Sequence, residues 1–140
     1  MAKMFQVKTL QALAACTVVN ESIPIFPSSI PSTMFEELKT LYSLFCLRKH
    51  EKVLDEKIDR LKVERQKAIE KSDDYHMDSN VLFAINDYVA GFDAENLGDY
   101  WEHCASIITS HIEKLEEEKQ EISQEEALYL CKLGNTYNRI

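Results

Sequence analysis

The sequence predicts an all-α fold of four to five helices, one of them long, with a globular helical cluster and an antiparallel two-helix coiled-coil-like arm. Three observations support this prediction. The chain has neither glycine nor proline from Ser32 to Ala90, and apolar residues recur there at helical spacing. The whole chain has three glycines and three prolines, fewer than the turns of a β-rich fold need. At 140 residues it is expected to form a single helical domain, 1–140.

The N-terminal part is predicted to be one helix, 1–20, followed by a proline-containing strap, 22–32. Pro24, Pro27 and Pro31 each fix their own φ and push the preceding residue towards extended backbone. The residues before these prolines are apolar, so we expect the strap to lie against helices and not to be a free linker.

The next predicted element is a long helix, 33–71, because Thr33 and Glu36 have the spacing of a capping box. Its first part is apolar on nearly every side, which is typical of a segment surrounded by other helices. Its second part narrows to one apolar stripe with a period near 3.5 residues, as in a two-helix coiled coil. A helix of roughly 38 residues reaches on the order of 57 Å, so it needs a second long helix beside it.

That second helix is predicted in the other half of the chain. The pattern breaks at 72–77, resumes as a helix over 79–90 that Gly91 would end, and passes through a connector to 99–133. The last segment is expected to be one bent helix or two helices, because Ser123 and Glu126 repeat the capping-box spacing.

The candidate partner-binding residues are the apolar residues of these two stripes. The pattern does not decide whether the stripes pair within one chain or between two copies, so a homodimer is the alternative. The residues are Leu47, Leu54, Ile58, Leu61, Trp101, Ile108, Leu115 and Ile122.

The charge is unevenly placed along the chain, whose net charge is −8. Residues 1–71 hold twelve Lys and Arg against nine Asp and Glu, while residues 72–140 hold four against fifteen. The acidic half can meet the basic half, a basic protein partner, or only solvent. It argues against nucleic acid, whose phosphates need clustered cations. No segment approaches the roughly 20 apolar residues of a membrane span.

Metal and catalytic motifs are weak. Cys46 with His50 and Cys104 with His111 have spacings that could supply zinc ligands, but Cys46 lies in an apolar run typical of a core thiol. The segment 93–99 imitates the start of a calcium loop, yet Cys104 stands where the bidentate glutamate belongs. A capped turn between helices is therefore expected there, and no catalytic residue, cofactor site or metal site is predicted.

These patterns favour a non-enzymatic protein-interaction protein, an assembly subunit or adaptor that binds through helical surfaces. The isolated cysteines, expected as buried free thiols, favour an intracellular location. One alternative is a small secreted or host-directed helical effector, if residues 1–15 act as a signal peptide. The other is a metal- or ligand-binding helical bundle.

Overall fold

The computed structural model describes residues 2–21, 23–25 and 30–134. It contains α1 (Ala2–Asn20), α2 (Ser32–Ala84) and α3 (Tyr88–Leu133), and the two long helices pack together. The described residues contain no strand, which confirms the all-α prediction. The predicted number of four to five helices is wrong, because the described part of the chain forms three.

α2 is longer than predicted because the expected break at 72–77 is helical. The segment 79–84, predicted to belong to a separate helix over 79–90, is the last part of α2. No proline interrupts this stretch. Its polar residues Ser72 and Ser79 are buried against α3, so they are part of the packing rather than of a loop.

α3 is also longer than predicted, because it runs through Gly91 and Gly98 and past Ser123 without a break. The predicted stop at Gly91 and the connector and turn before residue 99 are therefore wrong. Of the two alternatives for 99–133, the structure agrees with one helix. A glycine inside a helix costs about 1 kcal/mol relative to alanine, which packing can offset. A Cβ on Gly91 would lie 2.7 Å from the Phe83 ring, and one on Gly98 would lie 2.8 Å from the His76 ring. The two glycines thus give side chains of α2 room against α3.

The turn between α2 and α3 is made by Asn86 and Asp87. Asn86 has a φ of 63°, the left-handed conformation that asparagine tolerates better than most residues. The Asp87 amide donates to the Leu82 carbonyl at 2.9 Å and the Asn86 amide to the Phe83 carbonyl at 3.1 Å, the pair of bonds that defines a Schellman motif. Asp87 then caps α3, because its Oδ1 accepts from the Ala90 amide at 3.3 Å.

The chain divides into two compact units. Unit 1 comprises 1–53 and 119–140, and unit 2 comprises 54–118. The core of unit 1 is formed by buried apolar residues of α1 and α2: Ala12, Val19, Leu38 and Leu41. Leu133 of α3 packs against this core, as do Ile25 and Ile30 from the predicted strap. Residues 22 and 26–29 of that strap lie outside the described residues.

Unit 2 is built on a regular seam between α2 and α3. On each helix, a row of buried and half-buried positions recurs at alternating intervals of four and three residues, which is heptad spacing. On α2 they are Leu54, Ile58, Leu61, Arg65, Ala68, Ser72, Tyr75, Ser79 and Leu82. On α3 they are Gly91, Ala94, Gly98, Trp101, Ala105, Ile108, Ile112 and Leu115.

Two hydrogen bonds fix the direction and register of this seam. The Ser79 hydroxyl donates to the Gly91 carbonyl, and the Ser72 hydroxyl donates to the Gly98 carbonyl, each at 3.0 Å and buried. From Ser79 to Ser72 the chain goes back seven residues on α2, and from Gly91 to Gly98 it goes forward seven residues on α3, so the helices are antiparallel in unit 2. Each such bond contributes about 0.5–1.5 kcal/mol to stability.

All four cysteines are free, as predicted, but their burial differs from the prediction. Cys46 and Cys131 are exposed, while Cys16 and Cys104 are half-buried. Burial raises the pKa of the Cys16 thiol, and the Arg48 guanidinium partly opposes the shift. Among the described residues, no helix combines the length and the apolar character that crossing a bilayer requires.

Candidate interaction surface

The eight residues predicted to bind a partner lie where helices of this same chain cover them. Leu47 and Ile122 belong to unit 1, and the other six belong to unit 2. Leu54, Ile58 and Ile122 are buried, and the remaining five are half-buried. The seam of unit 2 is thus formed by α2 and α3 of one chain, and five of the eight residues keep part of their surface exposed. That these residues bind a partner stays a prediction.

Large exposed apolar side chains are concentrated around the turn between α2 and α3. We call residues 72–102 the hairpin end; it lies entirely in unit 2. Met77, Val81 and Ile85 follow one another at intervals of four residues, so they form one stripe along α2 and into the turn. Their exposed fractions are 66%, 62% and 66%.

A second stripe runs along α3 of the hairpin end. Val89 and Tyr100 lie eleven residues apart, about three helical turns, and Phe92 lies about 60° from Val89 around the axis. The exposed fractions of Val89, Phe92 and Tyr100 are 77%, 57% and 58%. We call the two rows of side chains the outer stripes. Each row lies on the side of its helix that faces away from the other helix, so the hairpin end presents two separate rows of exposed apolar side chains. Exposed apolar rows of this kind are typical of binding sites.

The outer stripes are exposed because the seam occupies the other side of each helix. Ser79 is buried, and Met77 and Val81, two residues to either side of it, lie about 200° around the helix axis. Gly91 is buried in the same way, while Val89 two residues earlier is exposed. Residues on the side of a helix opposite the seam do not face the neighbouring helix, so they are exposed to solvent.

The net charge of the whole chain is located in the hairpin end. Residues 72–102 contain eight Asp and Glu and no Lys or Arg, which gives −8. The rest of the chain holds sixteen acidic and sixteen basic residues and is neutral. The acidic residues are Asp73, Asp74, Asp78, Asp87, Asp93, Glu95, Asp99 and Glu102. Exposed apolar side chains thus lie among carboxylates, and the same segment contains no Lys or Arg to pair with them.

Aromatic contacts hold the turn in place. The Phe83 ring packs edge-on against the Phe92 ring with centroids 5.0 Å apart, and it lies 6.3 Å from the Tyr88 ring. The Tyr88 hydroxyl donates to Oδ1 of Asn86 at 3.1 Å. These contacts join the last turn of α2 to the first turn of α3, so the outer stripes rest on a backbone that is fixed before any partner binds.

Next to the outer stripes, three potential metal ligands converge from the two helices. Nε2 of His76 on α2 lies 3.6 Å from Oδ1 of Asp99 and 3.9 Å from Oε2 of Glu102, both on α3. One ligand atom of each residue lies within 4.8 Å of the others. The two Cys–His pairs considered as zinc ligands from the sequence belong to different units. Cys46 and His50 lie in unit 1, and Cys104 and His111 lie in unit 2.

Unit 1 carries a groove of its own, with a volume of about 520 Å³. Its lining comes from α1, the strap and α2 and is mostly apolar: Val18, Val19, Ile23, Ile25, Phe35, Leu38, Lys39, Tyr42 and Ser43. Nothing in the described residues of unit 1 indicates what would fill this groove, which is the alternative binding site to the hairpin end.

Sequence reasoning missed the hairpin end because it placed a helix over 79–90. The pair Asn86 and Asp87 was the available signal, since asparagine favours the left-handed turn and aspartate caps the next helix. With the turn placed there, Met77, Val81 and Val89 lie on helix faces that no neighbouring helix covers.

No protein-family model matches the chain, and neither the curated proteins nor the solved structures provide a significant match.

Proposed function

We propose that this protein is a non-enzymatic interaction protein, an adaptor or assembly subunit, and that the hairpin end of its coiled-coil-like arm binds a partner protein. The observation that supports this most is the coincidence of the outer stripes with the segment that carries the whole net charge of the chain. The apolar side chains supply binding free energy, and the carboxylates select the partner and accelerate encounter.

The partner that fits this surface is a cationic amphipathic segment of another protein, such as a helix with Lys and Arg beside an apolar face. Fully burying one valine side chain contributes about 1.5–3 kcal/mol before the costs of association are subtracted, and a Lys or Arg can pair with a carboxylate at the rim of the interface. Phosphate-rich partners are disfavoured, because a segment of charge −8 repels nucleic acid and anionic lipid surfaces alike.

A second copy of the same chain is a poorer occupant of the outer stripes. Two hairpin ends in contact would bring together two segments of charge −8 with no Lys or Arg in either segment to separate them. Like charges within a Debye length of about 8 Å at physiological ionic strength repel each other. We therefore expect the outer stripes to bind a partner of opposite charge and not themselves.

The test is a binding titration of the full chain with three synthetic helical peptides of about 18 residues, the length of five helical turns. The first is a cationic amphipathic peptide of Leu and Lys. The second has the same composition in an order that removes the apolar face, and the third carries Glu in place of Lys. We expect saturable binding of the first, which weakens with added salt, and much weaker binding of the other two.

The decisive variant is Val81→Ser/Val89→Ser, with Val63→Ser as its matched control. Serine and valine have similar helix propensities, and Val63 is 56% exposed in unit 2 but lies outside the hairpin end. We expect the double variant to lose about tenfold or more in affinity for the cationic amphipathic peptide, and the control to bind like the natural chain.

Three results would overturn the proposal. They are equal affinity in the double variant and the control, preference for the peptide without an apolar face, and stronger binding to zwitterionic lipid vesicles than to the peptide. Self-association of the full chain that the double variant abolishes would assign the outer stripes to a second copy instead.

A further inference from the structure

We propose that His76, Asp99 and Glu102 form a binding site for a divalent transition-metal ion, zinc in the first place, between α2 and α3. The proposal does not depend on the function proposed above. It rests on the arrangement of three side chains from two helices, which no spacing in the sequence indicates.

The distances fit a small dication. Zinc binds histidine nitrogen and carboxylate oxygen at about 2.0–2.2 Å, so two ligand atoms of a tetrahedral site lie about 3.4 Å apart. Nε2 of His76 is already 3.6 Å from Oδ1 of Asp99 and 3.9 Å from Oε2 of Glu102. All three ligand atoms lie within 4.8 Å of one another, so forming the site requires them to move closer together and not to be rearranged.

The backbone under the site holds the imidazole in place. A Cβ on Gly98 would lie 2.8 Å from both Cε1 and Nε2 of His76, so the ring occupies space that only glycine leaves open. The hydrogen bond from Ser72, one helical turn before His76, to the Gly98 carbonyl fixes the separation of the helices here. Asp99 and Glu102 are three residues apart on α3 and therefore point to the same side.

The chemistry of the donors selects the metal. Imidazole together with carboxylates suits zinc and its first-row neighbours, whereas calcium prefers six to eight oxygen ligands. The hairpin end contains eight carboxylates and no Lys or Arg, and the neighbouring Lys71 lies over the Trp101 ring at 4.1 Å, so a dication would offset charge on Asp99 and Glu102 that the segment itself does not balance. The side chains of both carboxylates are more than half exposed, which leaves the remaining coordination positions to water or to a group of a bound partner.

The test is isothermal titration of the metal-free full chain with zinc chloride, under a reductant that does not bind metal. His76→Ala is compared with the natural chain and with His103→Ala. His103 is an exposed histidine next to Glu102 in sequence and is the matched control. The free thiols, including exposed Cys46 and Cys131, are present in all three proteins, so their contribution cancels in the comparison.

Removing a residue that only hydrogen-bonds to a metal ligand typically lowers metal affinity by roughly 10- to 100-fold. Because His76 would be a ligand itself, we expect His76→Ala to lower zinc affinity by at least this much and His103→Ala to leave it unchanged. Asp99→Asn should weaken binding in the same direction. Gly98→Ala keeps all three ligands but displaces the imidazole, so it should also bind zinc less tightly. Val81→Ser/Val89→Ser should bind zinc like the natural chain, which separates this proposal from the peptide-binding proposal.

Nuclear magnetic resonance of the histidine rings gives the second readout. The Cε1–H signal of His76 should shift on zinc addition and return on chelation, while that of His103 stays constant. Equal zinc affinity in His76→Ala and His103→Ala, or zinc binding with an unchanged His76 signal, would overturn the proposal and assign the metal to the thiols.

Discussion

Glu126 shows how one residue couples folding to pH. It lies on α3 in unit 1, and its Oε1 atom is buried. Burial raises the pKa of its carboxyl from 4.5 to about 7, with hydrogen bonding and repulsion from Glu51 adding to the shift and the Arg48 guanidinium opposing it. The folded chain therefore keeps a proton on Glu126 over a pH range in which the unfolded chain has lost it.

The sign of the effect on stability follows by linkage. Because the folded state binds more protons than the unfolded state between pH 4.5 and about 7, the free energy of unfolding falls as the pH rises through that range. Glu126→Gln removes this titration. We expect the variant to have a higher Tm than the natural chain at pH 8, with the difference vanishing near pH 4.

The measurement is thermal unfolding followed by circular dichroism from pH 4 to pH 8. Glu125→Gln is the matched control, since Glu125 is the preceding residue and is exposed. Parallel Tm profiles for Glu126→Gln and the natural chain would show that the buried carboxyl does not titrate in this range.

The turn between α2 and α3 depends on the backbone conformation of Asn86, and substitutions at this position test that dependence. Asn86 adopts a φ of 63°, where a β-branched side chain is strained and glycine is not. We expect Asn86→Val to lower the free energy of unfolding by about 1–2 kcal/mol and Asn86→Gly to change it by much less. Urea denaturation measures both values. A similar loss for the two variants would mean that backbone conformation is not what the turn requires of this position.

The same turn shows why the elements were only partly predictable from the sequence. The helix over 33–71 was predicted from local signals, since a capping box, an apolar period and the absence of proline all lie within it. The structural role of Gly91 cannot be predicted from the residues next to it in sequence. Whether a glycine ends a helix or makes room inside one depends on what faces it, and the Phe83 ring reaches Gly91 only after the chain has reversed.

The candidate site was less predictable than the fold, for a related reason. Leu54 and Ile58 belong to one predicted apolar stripe, and both are buried in unit 2, but the pattern alone does not say which helix covers them. The outer stripes became visible only when Val81 and Val89 could be placed opposite the seam. His76 and Asp99 are 23 residues apart in sequence and meet because two helices run antiparallel.

For the whole molecule, the two-helix seam of unit 2 should be part of one folded chain and not an interface between copies. Ile58 is 5% exposed there, whereas Val63 on the same helix is 56% exposed. We expect Ile58→Ala to lower the free energy of unfolding by about 2–5 kcal/mol and Val63→Ala by about 0.5 kcal/mol or less.

Urea denaturation at two protein concentrations distinguishes the two arrangements. If the seam closes within one chain, the midpoint is independent of concentration for the natural chain and for Ile58→Ala, and sedimentation equilibrium gives the mass of one chain for both. A midpoint that rises with concentration, together with a larger mass, would show that two chains share the seam.

The most direct test of the central claim, that the hairpin end is where this protein recognises another, is amide hydrogen exchange on the full chain with and without the cationic amphipathic peptide. We predict slower exchange on peptide addition within 77–100 and unchanged exchange around the groove of unit 1 that Val18 and Phe35 line. Protection at that groove with no change within 77–100 would contradict the account.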